Sequence, residues 1–476
     1  MTATPSDAER IRALEQRVAA AEAAAQAATE ELARVLEEHQ AAQDELQRQG
    51  LYDDLTGLPN RTLLMERLHA SLGFAGRSLS AVDVLYVGID DFKTINDSQG
   101  RVAGDELLAA VAERLVDVIR HPAPPGPSRL DTVARLAGDE FALVLDDCPD
   151  PARIADRIQQ RLKEGLRLST GEVFVTVSMG IARAANGSSA DDLLAAANVA
   201  MHEAKRTGKA RHLAFEPQMQ EEARRRHALG EELHRAIINE EFVLAYQPVI
   251  DLTSEAIIGA EALVRWQHPG GELMGPDAFI HRAEETGLIV ALGAWVLGEA
   301  CRQGAIWRKS LSPEFSIAVN VSGRQLHEVG FDDLVRMLLR ESGLPAEALC
   351  LEMTESILME REEVAISMLT ELRAEGVHLA IDDFGTGYSS LSALRKLPID
   401  LIKIDQSFVA SLPEDDDAGT IAWAVVSLGH SMGIPVLAEG VETNEQRDAL
   451  VRFGCDQAQG YLYARPLPPQ DFEALL

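Results

Sequence analysis

The sequence predicts an α/β protein in which a long N-terminal helix is followed by two globular regions, the second of them a (β/α)8 barrel. Residues 7–49 contain neither glycine nor proline, whereas residues 51–215 mix strand-like and helix-like segments. From residue 241 onward, short apolar runs alternate with helix-like segments. Because parallel strands are buried on both faces and read as near-continuous apolar runs, this alternation indicates a parallel α/β fold.

The N-terminal segment, residues 1–49, fits a heptad repeat and is predicted to form a coiled coil. Its a positions are Ile11, Val18, Ala25, Leu32, His39 and Leu46, and its d positions are Leu14, Ala21, Ala28, Val35, Ala42 and Gln49. The alternative is a single solvated, alanine-rich helix, which would have no partner against which to bury an apolar face. We therefore expect a homodimer, with the helix ending at Gly50.

Composition limits the classes of function that the chain can have. The 476 residues carry a formal net charge of −32, which disfavours DNA or anionic membranes as partners because both bind through basic side chains. Four cysteines, Cys148, Cys301, Cys350 and Cys455, show no CxxC spacing and are expected to be buried thiols in a reducing compartment. With neither a signal peptide nor an apolar stretch that could span a membrane, the expected location is cytoplasmic.

Three segments of the first globular region carry chemical information: DDLTGLPNR at 53–61, GIDDFKTINDSQGRVAGDELL at 88–108 and RLAGDEFALVL at 135–145. The last segment predicts a hairpin turn in which Gly138 lets the backbone approach a phosphate closely, while Asp139 and Glu140 present carboxylates. Together these ordered motifs resemble the GGDEF domain of diguanylate cyclases, which join two GTP molecules into cyclic di-GMP.

This resemblance implies a GTP site in an α/β domain with a central, mainly antiparallel sheet. Asp139 and Glu140 would face magnesium and the attacking 3′-hydroxyl, and Asn96 and Asp105 would hydrogen-bond the guanine edge. The residues expected near the triphosphate are Phe92, Lys93, Gly138, Lys205 and Lys209.

Two departures from the GGDEF pattern bear on activity. The family's strand normally ends in D-x-D, whose first aspartate is a metal ligand, but this chain has Gly88 at that position. Asp90 lies about 6.5 Å further along the strand, too far to substitute. The product-inhibition motif R-x-x-D is out of register, since the chain reads Ser128-Arg129-Leu130-Asp131. We therefore expect a domain that binds GTP but makes cyclic di-GMP slowly or not at all.

In the last globular region, acidic and amide residues and one lysine stand at the ends of apolar runs. They are Asn320, Glu352, Asp382, Asp383, Lys403, Asp405 and Glu439. Side chains at the carboxyl ends of strands form the active sites of (β/α)8 barrels. One such residue could simply cap the following helix, but six or seven from different strands are hard to explain as caps. Oxygen ligands suit Mg²⁺ or Mn²⁺, so this series predicts metal-assisted hydrolysis or phosphoryl chemistry.

The triplet Glu261-Ala262-Leu263, together with YQP, NVS, DDFGTGYSSL, AEGVET and QGY, makes this region resemble the EAL domain of cyclic di-GMP phosphodiesterases. The resemblance implies two Mg²⁺ or Mn²⁺ ions held by Glu261, Asn320, Glu352, Asp382 and Asp383. Roles around the attacking water are expected for Glu439, Lys403, Asp405 and Gln459. Arg265 would contact a substrate phosphate, and Glu355 would anchor the loop at 383–388, which in the family couples metal binding to dimerisation.

The predicted domains are a coiled-coil helix at 1–49, a GGDEF domain at 50–216, a linker helix at 217–240 and, at 241–476, an EAL domain with a modified TIM-like (β/α)8 barrel. The favoured function is hydrolysis of cyclic di-GMP to linear 5′-pGpG, with GTP as an allosteric ligand of the degenerate cyclase site. The alternatives are a bifunctional cyclase and phosphodiesterase, and a non-catalytic cyclic di-GMP receptor. A homodimer through the coiled coil and the EAL domain is expected.

Overall fold

A computed structural model of the chain describes residues 50–78, 81–120, 131–185, 187–310, 312–359, 363–385, 394, 397–413 and 416–475, with scattered positions between 18 and 39. The predicted coiled coil lies almost entirely outside the described residues, as do Ser128 to Leu130 of the out-of-register inhibition motif. At described heptad positions, Val18, Leu32 and Val35 are helical and exposed. The chain divides into two compact units, residues 1–224 and 225–476.

The first unit contains a central sheet, a small separate hairpin and surrounding helices. Its strands are β1 (Val82–Ile89), β2 (Thr132–Ala137), β3 (Glu140–Asp146), β4 (Leu166–Leu168), β5 (Gly171–Val173), β6 (Val177–Arg183) and β7 (His212–Ala214). Its helices are α1 (Arg61–Ser78), α2 (Phe92–Gln99), α3 (Arg101–Arg120), α4 (Pro151–Lys163) and α5 (Ala190–Arg206), and α6 (Pro217–Ile238) contains the boundary between the units.

The central sheet has the order β2-β3-β1-β6-β7 and is antiparallel except for the pairing of β6 with β7. This confirms the mainly antiparallel sheet predicted for the region. Every residue of β1 is buried, because both faces of the sheet are covered. Alternate β1 side chains pack on opposite faces: Leu85 and Val87 join a cluster with α3 and α4, while Val84 and Tyr86 join one with α1 and α5.

The second unit contains nine strands within the described residues, and most of its helices follow a strand. The strands are β8 (Phe242–Asp251), β9 (Ile257–Gln267), β10 (Leu273–Met274), β11 (Ser316–Asn320), β12 (Leu349–Thr354), β13 (His378–Phe384), β14 (Leu401–Ile404), β15 (Val436–Ala438) and β16 (Gln457–Ala458). The helices are α7 (Ile280–Thr286), α8 (Leu288–Ser310), α9 (Gly323–Leu326), α10 (Phe331–Ser342), α11 (Glu355–Met359), α12 (Glu363–Ala374), α13 (Gln406–Ala410), α14 (Asp416–Met432), α15 (Asn444–Phe453) and α16 (Pro469–Glu473).

Eight of these strands close into a barrel. The order is β9-β11-β12-β13-β14-β15-β16-β8, and β8 also pairs with β9, while β10 pairs with β9 outside the ring. The neighbours from β9 to β16 run parallel, and β8 runs antiparallel to both β9 and β16. The modified TIM-like (β/α)8 barrel predicted for this region is therefore present.

The start of the barrel corrects the expectation of parallel strands from residue 241 onward. The strands β8 and β9 form a hairpin, because the connection between them is too short for the crossover that parallel neighbours need. The carboxylate of Asp251 accepts hydrogen bonds from the backbone NH (2.7 Å) and hydroxyl (2.8 Å) of Ser254, and Glu255 has a positive φ of 59°. This local turn reverses the chain.

Within the described residues the four cysteines form no disulfide; Cys301, Cys350 and Cys455 are buried as predicted, whereas Cys148 is partly exposed. Within the described part of the chain, none of the helices combines the length and the apolar character needed to cross a membrane.

Candidate functional site

The candidate site of the second unit lies at the carboxyl ends of the barrel strands. A small apolar cluster of Ala318, Cys350 and Ala380, with Leu401 packed against it, lies two residues before Asn320, Glu352, Asp382 and Lys403. Because side chains alternate along a strand, residues two apart share a face. The polar side chains therefore form a layer on an apolar floor inside the barrel.

Lys403 is the centre of this polar layer. Its side chain is completely buried, and its ammonium lies within 4 Å of four carboxylates. The distances from Nζ are 2.6 Å to Glu352, 2.6 Å to Glu439, 3.4 Å to Asp382 and 3.6 Å to Glu261. One positive charge thus faces four negative charges in a place largely shielded from water.

Amide side chains hold Glu261 in position. One of its carboxylate oxygens accepts a hydrogen bond from Asn320 Nδ2 (2.6 Å), and the other accepts one from Gln459 Nε2 (2.6 Å). Gln459 Nε2 also donates to Gln247 Oε1 at 2.9 Å, and Gln247 Nε2 donates to the carbonyl of Ala464 at 3.1 Å. With Gln247 on β8, each of the eight barrel strands contributes to the layer a residue that lies on the strand or directly follows it.

A β-bulge places two consecutive aspartates at the barrel mouth. Across it, Ile381 and Phe384 pair with Ile402 and Ile404, so β13 has one residue more than β14. Asp383 adopts a left-handed conformation with φ of 54°, and its NH donates to Asp382 Oδ1 at 3.0 Å. Neighbouring side chains of a regular strand point to opposite faces, whereas a bulge redirects one of them. Oxygens of Asp382, Asp383 and Glu439 lie within 4.8 Å of one another.

The excess of negative charge shifts the proton affinities of the layer. Burial raises the pKa of Glu439 to about 7 and, with Asp382 and Asp405 nearby, that of Asp383 to about 6. Burial also raises the pKa of Glu352 well above its usual range. Glu261 keeps a lowered pKa despite its burial, because Lys403 and two amides stabilise its charge. The surrounding carboxylates raise the pKa of Lys403 against the effect of burial.

These residues fit a site for hard divalent cations. Carboxylate and amide oxygens are the ligands that Mg²⁺ and Mn²⁺ prefer. Four or five carboxylates around one ammonium leave a surplus of negative charge that a divalent cation would compensate. The set that could hold such cations is Glu261, Asn320, Glu352, Asp382 and Asp383, with Glu439 beside them.

A cavity of about 610 Å³ adjoins this layer. Asn320, Asp382 and Asp383 line it on one side, and apolar residues of α7 and α8, among them Ile280 and Leu292, line the other. Arg265 is expected from the EAL resemblance to contact a substrate phosphate. It is half-buried, and its Nη1 donates to the carbonyl of Val264 at 2.8 Å.

Glu355 and Asp405 lie beside the layer and make backbone contacts. The buried Glu355 accepts a hydrogen bond from the NH of Gly385 at 3.1 Å, at the start of the predicted loop, whose residues 386–388 are outside the described part. Asp405 caps α13, accepting from the NH of Ser407 at 3.0 Å, and it also contacts the carboxyl of Asp383. The capping role that an isolated strand-end aspartate often has is therefore present at Asp405.

The first unit has its own candidate site at the β2–β3 hairpin. Gly138, with φ of 53°, and Asp139 form the turn between Ala137 and Glu140. Glu140 accepts a hydrogen bond from the hydroxyl of Tyr86 at 2.7 Å. Arg135 donates to the carbonyl of Gly138 at 2.8 Å and forms an ion pair with Asp53 at 3.0 Å, which ties the segment before α1 to the turn.

Lys205 lies against Gly88 in this site. A Cβ atom at position 88 would lie 2.8 Å from both Cε and Nζ of Lys205 and 3.0 Å from the sulfur of Met201. The ammonium donates to the carbonyl of Ile89 at 3.1 Å and lies 3.5 Å from Asp139 Oδ2. Lys205, Asp139 and Gly88, which the sequence singled out separately, are thus brought together.

The other residues predicted to bind GTP lie on α2, on α3 and after α5. Phe92, Lys93 and Asn96 are on α2 and Asp105 is on α3. Asn96 Oδ1 is buried and has no hydrogen-bond partner among the described residues. Lys209, expected at a phosphate, forms an ion pair with Asp91 at 2.7 Å.

Several residues of the two sites received no role from the sequence. Gln247, Tyr86, Arg135 and Asp53 lie in the motifs YQP, LYVGI, RLAGDEF and DDLTG. Motif membership was their only signal, because their partners are distant in sequence: Tyr86 is 54 residues from Glu140, and Gln247 is 212 residues from Gln459.

Comparison with known proteins gives two family matches. A family model described as "Diguanylate cyclase, GGDEF domain" matches residues 50–211, and one described as "EAL domain" matches residues 230–466. The solved structure "PaMucR Phosphodiesterase, c-di-GMP complex" is 42% identical, has a TM-score of 0.50, and covers 52% of this chain and 99% of that one.

Two curated relatives come from Pseudomonas aeruginosa. The chain is 39% identical over 436 residues to the bifunctional diguanylate cyclase/cyclic di-GMP phosphodiesterase MucR, covering 91% of this chain and 62% of that protein. It is 38% identical over 434 residues to the cyclic di-GMP phosphodiesterase NbdA, covering 90% of this chain and 54% of that protein. It therefore spans less than two thirds of the length of either relative. Because both family matches occur in tandem and together cover most of its length, the chain belongs to the family of proteins that carry a GGDEF domain followed by an EAL domain.

Proposed function

We propose that the second unit hydrolyses cyclic di-GMP, cutting one phosphodiester to give linear 5′-pGpG. The observation that carries the proposal is the convergence of four carboxylates on the buried Lys403 at the mouth of a closed barrel. The name of NbdA, a cyclic di-GMP phosphodiesterase, and the cyclic di-GMP complex of the similar MucR phosphodiesterase support the same substrate.

In this proposal Glu261, Asn320, Glu352, Asp382 and Asp383 hold two Mg²⁺ or Mn²⁺ ions. Bound divalent cations supply a Lewis acid for the phosphoryl oxygens and lower the pKa of an attacking water. Because of the bulge at Asp382–Asp383, the carboxylates of two consecutive residues can both reach the proposed cation site. The amides of Asn320 and Gln459 orient Glu261, so that its carboxylate is fixed before substrate arrives.

The remaining residues of the layer move a proton and compensate charge. Glu439 accepts the proton of the attacking water, since a pKa near 7 suits a general base at neutral pH. Lys403 keeps the carboxylates together and offsets their charge, and Gln459 helps to position the water. Arg265 contacts a substrate phosphate, and the apolar wall of the adjoining cavity suits a planar base.

We further propose that GTP regulates this activity from the first unit. The retained Lys93, Asp105 and Lys205, the amide oxygen of Asn96 that lacks a hydrogen-bond partner among the described residues, and the absence of a carboxylate at Gly88 support a site that binds GTP without efficient turnover. The domain boundaries at 50–216, 217–240 and 241–476, and dimerisation through the segment 1–49 and the EAL domain, belong to the same proposal.

Product analysis by chromatography tests the proposed function. The purified chain is incubated with cyclic di-GMP and Mg²⁺, with and without GTP, and with GTP alone in a parallel reaction. We expect pGpG, formed faster when GTP is present, and no cyclic di-GMP from GTP alone. Equal rates with and without bound GTP would remove the regulatory part. Binding of cyclic di-GMP without turnover would favour a receptor.

A bifunctional enzyme is the second candidate, because the similar MucR carries a bifunctional name and this chain retains Asp139 and Glu140. The Glu261→Ala variant separates the two functions, since it removes the proposed hydrolysis while leaving the first unit intact. Accumulation of cyclic di-GMP from GTP by this variant would establish cyclase activity, and its absence would leave the phosphodiesterase alone.

A further inference from the structure

We propose that Lys205 takes the place of a divalent cation in the GTP site of the first unit, so that this site binds the nucleotide's phosphates without a metal ion. The inference rests on the proposed GTP binding and specifies how the charge of the triphosphate is compensated.

The side chain of Lys205 fills the space next to Gly88. Because a Cβ at position 88 would lie 2.8 Å from Nζ and Cε of Lys205, no side chain at this position fits beside the lysine as it lies. Lys205 and Met201, the other neighbour of that Cβ, are one turn apart on α5 and approach β1 together. The missing side chain and the position of the ammonium are therefore two parts of one arrangement.

The carboxylates around this place do not fit a divalent cation. Glu140 accepts the hydroxyl of Tyr86, and the buried Asp90 accepts from Ser178 (2.7 Å), Thr176 (2.7 Å) and the NH of Ala210 (3.1 Å). Among the described residues, Asp139 is the carboxylate nearest the ammonium, at 3.5 Å. A divalent cation bound to Asp139 would meet the positive charge of Lys205 and would lack the ligand that position 88 provides in the family.

The ammonium itself can bind a phosphate. It carries three N–H donors, and its observed oxygen contacts are the carbonyl of Ile89 and Asp139. The side chain of Lys205 is 26% exposed, so it is open to solvent in part. A charge-assisted hydrogen bond from an ammonium to a phosphate oxygen is short and strong. Lys205 thus offers a positive charge beside Asp139 and the carbonyl of Ile89, where we propose that it replaces the cation.

Equilibrium dialysis of the full chain with labelled GTP, in EDTA and in Mg²⁺, tests the inference. We expect dissociation constants that agree within about threefold in the two buffers. Lys205→Met should weaken binding at least about tenfold in both, because a hydrogen bond to a charged group is lost. Lys163→Met, which alters an exposed lysine on α4, is the matched control and should bind GTP as the unaltered chain does.

Gly88→Asp provides a second variant that does not remove the lysine. The clash is with the flexible end of Lys205, so the new carboxylate can displace or pair with the ammonium. We expect weaker GTP binding in EDTA and recovery in Mg²⁺, which would make binding dependent on the metal ion.

The outcomes separate this inference from the proposed function. GTP binding by the unaltered chain in Mg²⁺ but not in EDTA would overturn the role of Lys205 and leave GTP regulation standing. A folded Lys205→Met variant with unchanged affinity would overturn it as well. Failure to bind GTP in either buffer would overturn both the inference and the proposed regulation, while the hydrolysis of cyclic di-GMP would be unaffected.

Discussion

The two units each bring a lysine together with carboxylates at the ends of strands, but in different proportions. In the barrel, the ammonium of Lys403 lies within 4 Å of four carboxylates and is fully buried. At the hairpin, the ammonium of Lys205 lies 3.5 Å from one carboxylate, that of Asp139, and the lysine side chain is partly exposed. The barrel site thus carries a surplus of negative charge, whereas the pair at the hairpin is balanced.

This difference in charge balance is the reason that we propose cations for the barrel site and Lys205 in place of a cation at the hairpin. A buried surplus of carboxylates is costly unless cations or protons compensate it. The raised pKa values of Glu439 and Asp383 mean that protons can compensate part of this negative charge. A single ammonium facing one carboxylate has no such surplus. The closed barrel produces the surplus of carboxylates around Lys403, because the carboxyl ends of its parallel strands lie at the same end of the barrel.

The largest expected effect comes from Glu439→Gln, which removes the proposed base without changing the size of the side chain. We expect the rate of pGpG formation to fall about 10³-fold, within the range for loss of a general base. Chromatographic rates in Mg²⁺ measure it. Glu445→Gln, at an exposed position of α15, is the control. A decrease in rate of less than about tenfold would mean that a group other than Glu439 accepts the proton of the attacking water.

Lys403→Met removes the single positive charge from the barrel site. Removing one partner from a buried charge cluster costs about 3–5 kcal/mol, so the melting temperature of the second unit in EDTA should fall by roughly 10 °C. All four tryptophans lie at or beyond residue 266, so tryptophan fluorescence reports this unit. Mn²⁺ should recover more stability in the variant than in the unaltered chain. Lys309→Met, at an exposed position, should melt normally.

The surplus of carboxylates in the barrel should also make the stability of the second unit depend on pH. Glu439 and Asp383 have folded pKa values of about 7 and about 6, above the usual 4.5 and 3.8. The folded unit therefore binds more protons than the unfolded chain between these limits, and its stability decreases as pH rises. In EDTA we expect the tryptophan-monitored melting temperature to fall by about 5 °C from pH 5 to 7.5. Glu439→Gln should flatten this slope, and an equally steep slope in that variant would contradict the assignment.

Substitutions of Asp405 should have the smallest effects, and they separate its cap on α13 from its contact with Asp383. Asparagine caps a helix as well as aspartate does, whereas alanine costs about 1 kcal/mol. If capping is its main contribution, Asp405→Asn should keep both stability and activity, and Asp405→Ala should lose about 1 kcal/mol of unfolding free energy. Urea titration and hydrolysis rates measure the two. Loss of activity in both variants would show that the contact of Asp405 with Asp383 matters more for hydrolysis than helix capping does.

The sequence predicted the strand-end layer because a repeated local pattern produces it. Each of Asn320, Glu352, Asp382 and Lys403 lies on a short apolar run, and parallel strands carry such residues to the same end of a barrel. The residues that we propose to bind metal ions or protons could therefore be located from the chain alone, and the family motifs supplied the expectation of their roles.

The remaining features depend on contacts that no local pattern specifies. The bulge at Asp383 arises where β13 and β14 lose register, and the space beside Gly88 is filled by a lysine 117 residues later in the chain. The antiparallel β8 was missed because its apolar run looks the same in either direction. Each of these features depends on packing between distant segments, which the periodicity of the sequence does not specify.

The hydrogen bond between Gln247 and Gln459 joins the first and last strands of the barrel across 212 residues. A ribosome releases these residues in order, so a nascent chain displays Glu261 and the central strands well before β16 can support them. Contacts this distant form late, because a long loop must close first. Hydrolytic capacity should consequently emerge only after Gln459 has left the exit tunnel, whereas the hairpin unit can mature earlier during translation.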